Sequence, residues 1–154
     1  MLIKFDRLIA KMPELLKELK NTPLLNRNDL SDVPKQGVYI LYHKGKPVYV
    51  GRSNNIRSRI QQHSRPSSRH NSASLAFRIA KDNMSRNTAI PRFIKRKELE
   101  EAPGFAQEFF LARMMVANMK IRVIEITDQV EQALFEIYAA LALKTTKYNE
   151  FSTH

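Results

Sequence analysis

The sequence predicts an α/β protein, α+β in detail, with a small central antiparallel or mixed β-sheet of about three strands flanked by helices. Two short runs of β-branched and aromatic residues, 38–42 and 47–50, are joined by a polar connection with one glycine, which is typical of a β-hairpin. A third β-branched run, 121–126, lies between segments with helical periodicity. With 154 residues and 43% apolar content, the chain can form one compact domain with a core.

The N-terminal part of the chain, 1–36, is expected to form a helix and then a loop. Apolar residues at helical spacing form one stripe over 5–21, and this stripe indicates packing rather than chemistry. After the hairpin, Ser53 is the expected N-cap of a helix over 54–63. Arg59 and His63 are four residues apart on that helix, so they share one face.

The remaining chain is predicted to contain a helical insertion over 64–118 and a C-terminal block from residue 120. Helices are expected from Ser72 or Ser74 to 82, over 92–101 and over 105–118. In the C-terminal block, the strand 121–126 is followed by a helix over about 129–144, capped by Thr127 or Asp128. We therefore interpret 1–154 as a single domain that carries an insertion.

The composition restricts the chemistry that this chain can perform. There is no cysteine, which excludes disulfides and thiolate metal sites and is compatible with the expected cytoplasmic location. No apolar run approaches the ~20 residues of a membrane span, so no membrane partner is expected. The sequence carries no indication of the oligomeric state.

The formal net charge is +11, and the excess of positive charge falls in the middle of the chain. Between Arg52 and Lys97 there are twelve Lys and Arg residues and one acidic residue, Asp82. Such a segment attracts polyanions, because phosphate contacts supply most of the sequence-independent affinity for nucleic acids. A solvated basic face is the alternative. The candidate phosphate-binding residues are Lys46, Arg52, Arg57, Arg65, Arg69, Arg78, Arg86, Lys95 and Arg96.

Glu136 is an unusual carboxylate because its helical neighbours are mostly small and apolar. Three and four positions away lie Gln132, Ala133, Ala139 and Ala140. Partial burial is therefore expected, and an unpaired buried charge would be very unfavourable. The carboxylate should have a cation beside it, and both an arginine in an ordinary salt bridge and a divalent metal remain open at this point.

Two related tripeptides mark the strands of the hairpin, Gly37-Val38-Tyr39 and Tyr49-Val50-Gly51. The residues that continue the pattern after the second tripeptide are Arg52, Ser53, Asn55, Ile56, Arg59 and His63. This combination resembles the GIY-YIG nuclease family, with Val in place of Ile in each tripeptide. Either tripeptide alone is a weak signal, whereas both together, followed by Arg and His in register, are specific.

The resemblance extends to the C-terminal block, where Ala133 to Glu136 and the pair Tyr148-Asn149 are similar to the family's last motifs. It implies that Glu136 binds a divalent metal and that Tyr39 is the general base, with Tyr49 or His63 as alternatives. Neighbouring cations such as Arg59 and Lys46 would lower the pKa of the Tyr39 phenol. The catalytic residues implied by the resemblance are Tyr39, Tyr49, Arg59, His63, Glu136 and Asn149.

These residue types suit the hydrolysis of phosphodiesters. One carboxylate favours one Mg²⁺ or Mn²⁺, because Mg²⁺ takes one or two carboxylates and completes its shell with water and phosphate oxygens. Arg59 can clamp a phosphate oxygen with a planar fork that lysine lacks. The expected function is a divalent-metal-dependent endonuclease acting on double- or single-stranded DNA, in restriction, repair or a mobile element. The alternatives are a non-catalytic nucleic-acid-binding protein on the same fold, and a nuclease for RNA or only for single strands.

Overall fold

The computed structural model describes residues 2–65, 68, 73–87 and 95–149, without the side chains of residues 2, 87 and 96. Within these ranges the chain forms helices and one small sheet, which confirms the predicted α+β fold. The elements in chain order are α1 (Leu2–Lys20), β1 (Gly37–His43), β2 (Lys46–Ser53), α2 (Ile56–Ser64), α3 (Ser74–Asn87), α4 (Arg96–Glu100), α5 (Phe105–Ala117), β3 (Lys120–Glu125) and α6 (Gln129–Leu143).

The sheet is antiparallel throughout and has the strand order β2-β1-β3, so β1 is its central strand. The β1–β2 turn places Lys44 and Gly45 at positive φ angles of 51° and 78°. Positive φ at both central positions is the geometry of the hairpin turns whose twist matches that of the strands. The sequence leaves antiparallel and mixed sheets open, and the structure decides for the antiparallel one.

Contacts divide the chain into two compact units, of which the first comprises 1–59 and 119–154. In the first unit, one face of the sheet packs against α1 and α6. The buried core residues of this face and of the two helices are Met12, Leu19, Val38, Ile40, Val50, Ile124, Ile126, Phe135, Ala139 and Ala140. This packing holds α6, which carries Glu136, beside the hairpin.

The second unit comprises 60–118 and has its own apolar core. Phe77 of α3 lies 5.3 Å and 6.0 Å, between ring centroids, from Phe105 and Phe109 of α5. The guanidinium of Arg113 lies 4.3 Å from the centroid of the Phe109 ring and donates a hydrogen bond to the carbonyl of Ser68. These contacts stabilise a helical pair, α3 and α5. Whether the chain is one domain, as the sequence suggests, stays a prediction.

The N-cap of α2 differs from the prediction. The helix begins at Ile56, and the side-chain oxygen of Asn55 accepts a hydrogen bond from the N–H of Ser58, at 3.2 Å. Ser53 is still paired with Gly37 in the sheet, so it cannot also begin the helix. Its hydroxyl instead accepts a hydrogen bond from the N–H of Asn55 and supports the turn.

Other helix bounds differ in the insertion. Helix α3 continues to Asn87 rather than ending at 82, and an ion pair between Arg86 and Asp82 joins neighbouring turns in this extension, with 3.1 Å between N and O. Of the helix predicted over 92–101, the structure describes α4 alone, because 91–94 lie outside the described residues. Within the described ranges, no helix combines the length and the hydrophobicity that crossing a bilayer requires.

Candidate active site

Two tyrosines of the hairpin share one face of the sheet. Tyr39 on β1 pairs with Gly51 on β2, so Tyr49, two residues earlier on β2, is its diagonal neighbour on the same face. The two ring centroids are 6.3 Å apart. Tyr39 is completely buried and Tyr49 half-buried. Both rings project from the face opposite to that of Val38 and Val50, which pack in the core.

Gly51 makes room for the Tyr39 ring. A Cβ atom at position 51 would lie 2.3 Å from both the Cζ and the hydroxyl oxygen of Tyr39. The phenol therefore rests directly on the backbone of β2, and any larger residue would displace the ring or the strand. This contact is the physical reason for a glycine at the end of the second tripeptide.

Arg59 reaches the same phenol from α2. The N-terminus of this helix is held next to the segment that precedes β1, because the N–H of Ile56 donates a hydrogen bond to the carbonyl of Lys35, at 2.9 Å. Arg59, one turn into α2, donates a hydrogen bond to the hydroxyl oxygen of Tyr39. A phenol oxygen and a guanidinium, both on residues predicted to be catalytic, are thus in contact. Their catalytic roles stay predictions.

The pKa of Tyr39 is raised well above its ordinary value, so the expected lowering is wrong. Burial is the largest cause, and the neighbouring Tyr49 raises the pKa further. Arg59 acts in the expected direction, by its charge and its hydrogen bond, but burial outweighs it. Lys46, the second cation expected to lower the pKa of Tyr39, is an exposed residue at the start of β2. In the free protein at neutral pH, Tyr39 is consequently a neutral phenol.

Glu136 lies on α6 beside strand β2, and its carboxylate is paired with Arg52. The Arg52 Nε and the Glu136 Oε2 are 2.9 Å apart, with side chains 41% and 21% exposed. Burial raises the pKa of Glu136, and the charge and hydrogen bond of Arg52 partly oppose this. The sequence leaves an arginine and a divalent metal open as the cation beside Glu136. In this structure, the cation beside the carboxylate is Arg52.

Asn149 clamps the backbone of β2 at Val50. Its Oδ1 accepts hydrogen bonds from the N–H of Val50 and the hydroxyl of Thr145, at 3.0 Å and 2.9 Å. Its Nδ2 donates to the carbonyl of Val50, at 2.6 Å. Val50 lies between Tyr49 and Gly51 in an edge strand, so Asn149 fixes the strand that carries both. These contacts position β2, and the catalytic role of Asn149 stays a prediction.

We expect Asn149→Ala to lower the free energy of unfolding by about 2–4 kcal/mol, because two buried backbone groups of Val50 lose their partner. Urea unfolding measures this directly. Asn149→Asp is the matched variant, since it can still accept from Val50 but cannot donate when ionised. Its stability should rise toward that of the wild type as the pH falls and the carboxyl becomes protonated. Unfolding of the alanine variant at wild-type urea concentration would contradict the clamp.

His63 lies on α2 one turn after Arg59 and is completely buried. It belongs to the second unit, whereas Tyr39 and Arg59 belong to the first. The catalytic role of His63 therefore stays a prediction.

The predicted phosphate-binding residues are spread over both units. Arg57, Arg65 and Lys95 are exposed, Arg78 is half-buried, and the exposed Arg86 pairs with Asp82. Arg69 and the side chain of Arg96 lie outside the described residues. Exposure makes the first group available to a polyanion, and their contact with one stays a prediction.

A comparison of the whole sequence with protein-family models assigns a family to this chain. That family agrees with the hairpin, the Arg59 contact and Glu136. A model of the GIY-YIG catalytic domain matches residues 35–149. The chain belongs to the GIY-YIG family. Neither a curated protein nor a solved structure matches it. The matched range begins just before β1 and ends at Asn149, so the GIY-YIG domain includes the tyrosines, Arg59, Glu136 and the clamp.

The GIY-YIG domain has a nuclease fold, and nucleases of this family generally depend on a divalent metal. Among the described residues, no group of three or more His, Cys, Asp or Glu side chains could hold such an ion. The half-buried Glu136 instead offers one carboxylate at the edge of the sheet. This donor set fits a Mg²⁺-like ion, which keeps several waters and takes phosphate oxygens from its substrate.

Sequence reasoning missed the partner of Glu136 and the clamp on β2. It placed Arg52 among the phosphate-binding residues, although a glutamate among small apolar helix residues indicates that a cation lies beside it. The one sequence signal for Thr145 is its position four residues before Asn149. Neither pairing follows from local patterns, because the paired residues are far apart along the chain.

Proposed function

We propose that this GIY-YIG protein is an endonuclease that hydrolyses DNA with one Mg²⁺ or Mn²⁺ ion. The observation that supports it most is the surroundings of Tyr39, whose buried ring rests on Gly51 with its centroid 6.3 Å from that of Tyr49. The charges of Arg59 and Glu136 both act on its phenol. A purely structural tyrosine in a small sheet has no need of an arginine hydrogen-bonded to its hydroxyl group or of a glutamate close enough to affect its charge. Perturbed titratable groups that converge in this way are characteristic of catalytic sites.

In the proposed reaction, a water oxygen bonds to phosphorus while the bond from phosphorus to the leaving sugar oxygen breaks, and that oxygen takes a proton from solvent. The proton of the water passes to Tyr39 in its phenolate form, and Arg59 stabilises that form with its charge and its hydrogen bond. The guanidinium also suits a non-bridging phosphate oxygen, and Tyr49 orients the reacting groups. A divalent ion held by Glu136 would supply further positive charge to the phosphate.

The test is incubation with supercoiled plasmid, single-stranded DNA and RNA, each with Mg²⁺, Mn²⁺ or EDTA. We expect nicked or linear plasmid with either metal and intact plasmid with EDTA. Cleavage of RNA alone would support the RNA nuclease instead. Binding without cleavage of any substrate would support the non-catalytic nucleic-acid-binding protein.

The exposed basic residues should determine how DNA binding depends on salt. Arg65→Ala and Lys95→Ala should each reduce the slope of log affinity against log salt concentration by about one unit, because each lost phosphate contact releases one counterion fewer. Fluorescence anisotropy at several salt concentrations measures the slope. Lys4→Ala, an exposed lysine on α1, is the matched control and should leave the slope unchanged. Wild-type slopes in both test variants would mean that these residues are solvated surface charges without phosphate contacts.

A further inference from the structure

The pairing of Arg52 with Glu136 suggests a role that phosphate binding does not explain. The guanidinium contacts the carboxylate on which the proposed function depends, with 2.9 Å between Nε and Oε2. Glu136 is 21% exposed, so this partner compensates much of the unfavourable burial of its charge. The proposed metal and Arg52 would both be cations at one carboxylate.

We propose that Arg52 is a resident counterion of Glu136 which a divalent cation must displace, so that Arg52 sets the metal affinity of the site. This inference rests on the proposed role of Glu136 as a metal ligand. It differs from that role because it concerns how tightly the ion binds, not whether the ion is used.

The two cations cannot both remain in contact with this carboxylate without strong repulsion. A charge at about 4–6 Å changes the binding of a proton by a carboxylate about 10- to 1000-fold, and a divalent ion carries twice that charge. Arg52 has room to move aside because its side chain is 41% exposed and it lies on the edge strand β2. Glu136, by contrast, is held on a helix packed against the core.

The displacement has a consequence for the substrate. A guanidinium that leaves a carboxylate has five N–H donors to offer a phosphate. Metal entry would therefore release a guanidinium that can bind a phosphate of the nucleic acid.

The experiment measures Mn²⁺ binding to the full chain without nucleic acid, from the electron paramagnetic resonance signal of free Mn²⁺. Arg52→Gln should bind Mn²⁺ at least about tenfold more tightly than the wild type, since a like charge has been removed from the site. Arg52→Lys keeps the charge and should bind within about threefold of the wild type. Arg7→Gln, an exposed arginine on α1, controls for the change in net charge and should bind like the wild type.

Several results would overturn the proposal. These are unchanged, weaker or undetectable Mn²⁺ binding in Arg52→Gln, or an Arg52→Lys variant that binds as tightly as Arg52→Gln. Circular dichroism confirms that each variant is folded. Adding Glu136→Gln to Arg52→Gln should abolish the tight binding. If Mn²⁺ binding and cleavage both survive Glu136→Gln, the ligand assignment itself fails, which separates that failure from a failure of the competition.

Discussion

Glu136→Gln is expected to reduce metal-dependent plasmid cleavage by about 10³-fold or more while DNA binding is retained. The substitution keeps the shape of the side chain and removes the carboxylate that we propose as the metal ligand. A metal that polarises the phosphate contributes several kcal/mol to the transition state, and about 1.4 kcal/mol corresponds to tenfold in rate. Single-turnover cleavage and anisotropy measure the two properties separately.

The same variant should unfold at a higher temperature than the wild type at neutral pH. Burial raises the pKa of Glu136 in the folded protein more than Arg52 lowers it. The stability contributed by this group is therefore complete below its unfolded pKa of about 4.3 and is lost as the pH rises through the higher folded value. Glutamine cannot ionise, so it removes this loss. Thermal unfolding measured from acidic to neutral pH tests the sign.

Glu14→Gln is a suitable control, because Glu14 is an exposed glutamate on α1. It should cleave and unfold like the wild type. Undiminished cleavage by Glu136→Gln in the same assay would refute the assignment of Glu136 as the metal ligand.

Tyr39→Phe is expected to lower the single-turnover rate by about 10²–10⁴, the range typical for loss of a general base. The ring stays and fills the same buried place against Gly51, so binding and folding should change little. Because burial raises the pKa of Tyr39, the active phenolate is scarce at neutral pH. The wild-type rate should therefore increase about tenfold per pH unit below that pKa, and Tyr39→Phe should lose this dependence.

Arg59→Lys provides a second test of the same cluster. It keeps the positive charge but removes the planar fork, so the rate should fall sharply at all pH values. Arg59→Ala also removes the charge that lowers the pKa of Tyr39, so the pH–rate profile should move to higher pH. A near-normal rate for Tyr39→Phe, or a rate that does not depend on pH, would exclude Tyr39 as the base and leave Tyr49 or His63.

Local patterns in the sequence determined the elements and the family. The β-branched runs and the glycine-containing turn of the hairpin depend on neighbours along the chain, and so does the helical spacing around Glu136. The two tripeptides and the spacing to Arg59 are likewise local, which is why the assignment made from 37–63 agrees with the family match over 35–149. Even the need of Glu136 for a cation follows from the small residues one helical turn away.

The tertiary structure decided which groups meet and how strongly they are desolvated. Arg52 and Glu136 are 84 residues apart in the chain, and Val50 and Asn149 are 99 apart, so no periodicity could pair them. The sequence showed the cation that lowers the pKa of Tyr39. It did not show the burial, which raises this pKa by more than the cation lowers it. Burial is a sum over side chains from distant elements and becomes defined when the chain packs, because desolvation depends on the space around a group and not on its neighbours in the sequence.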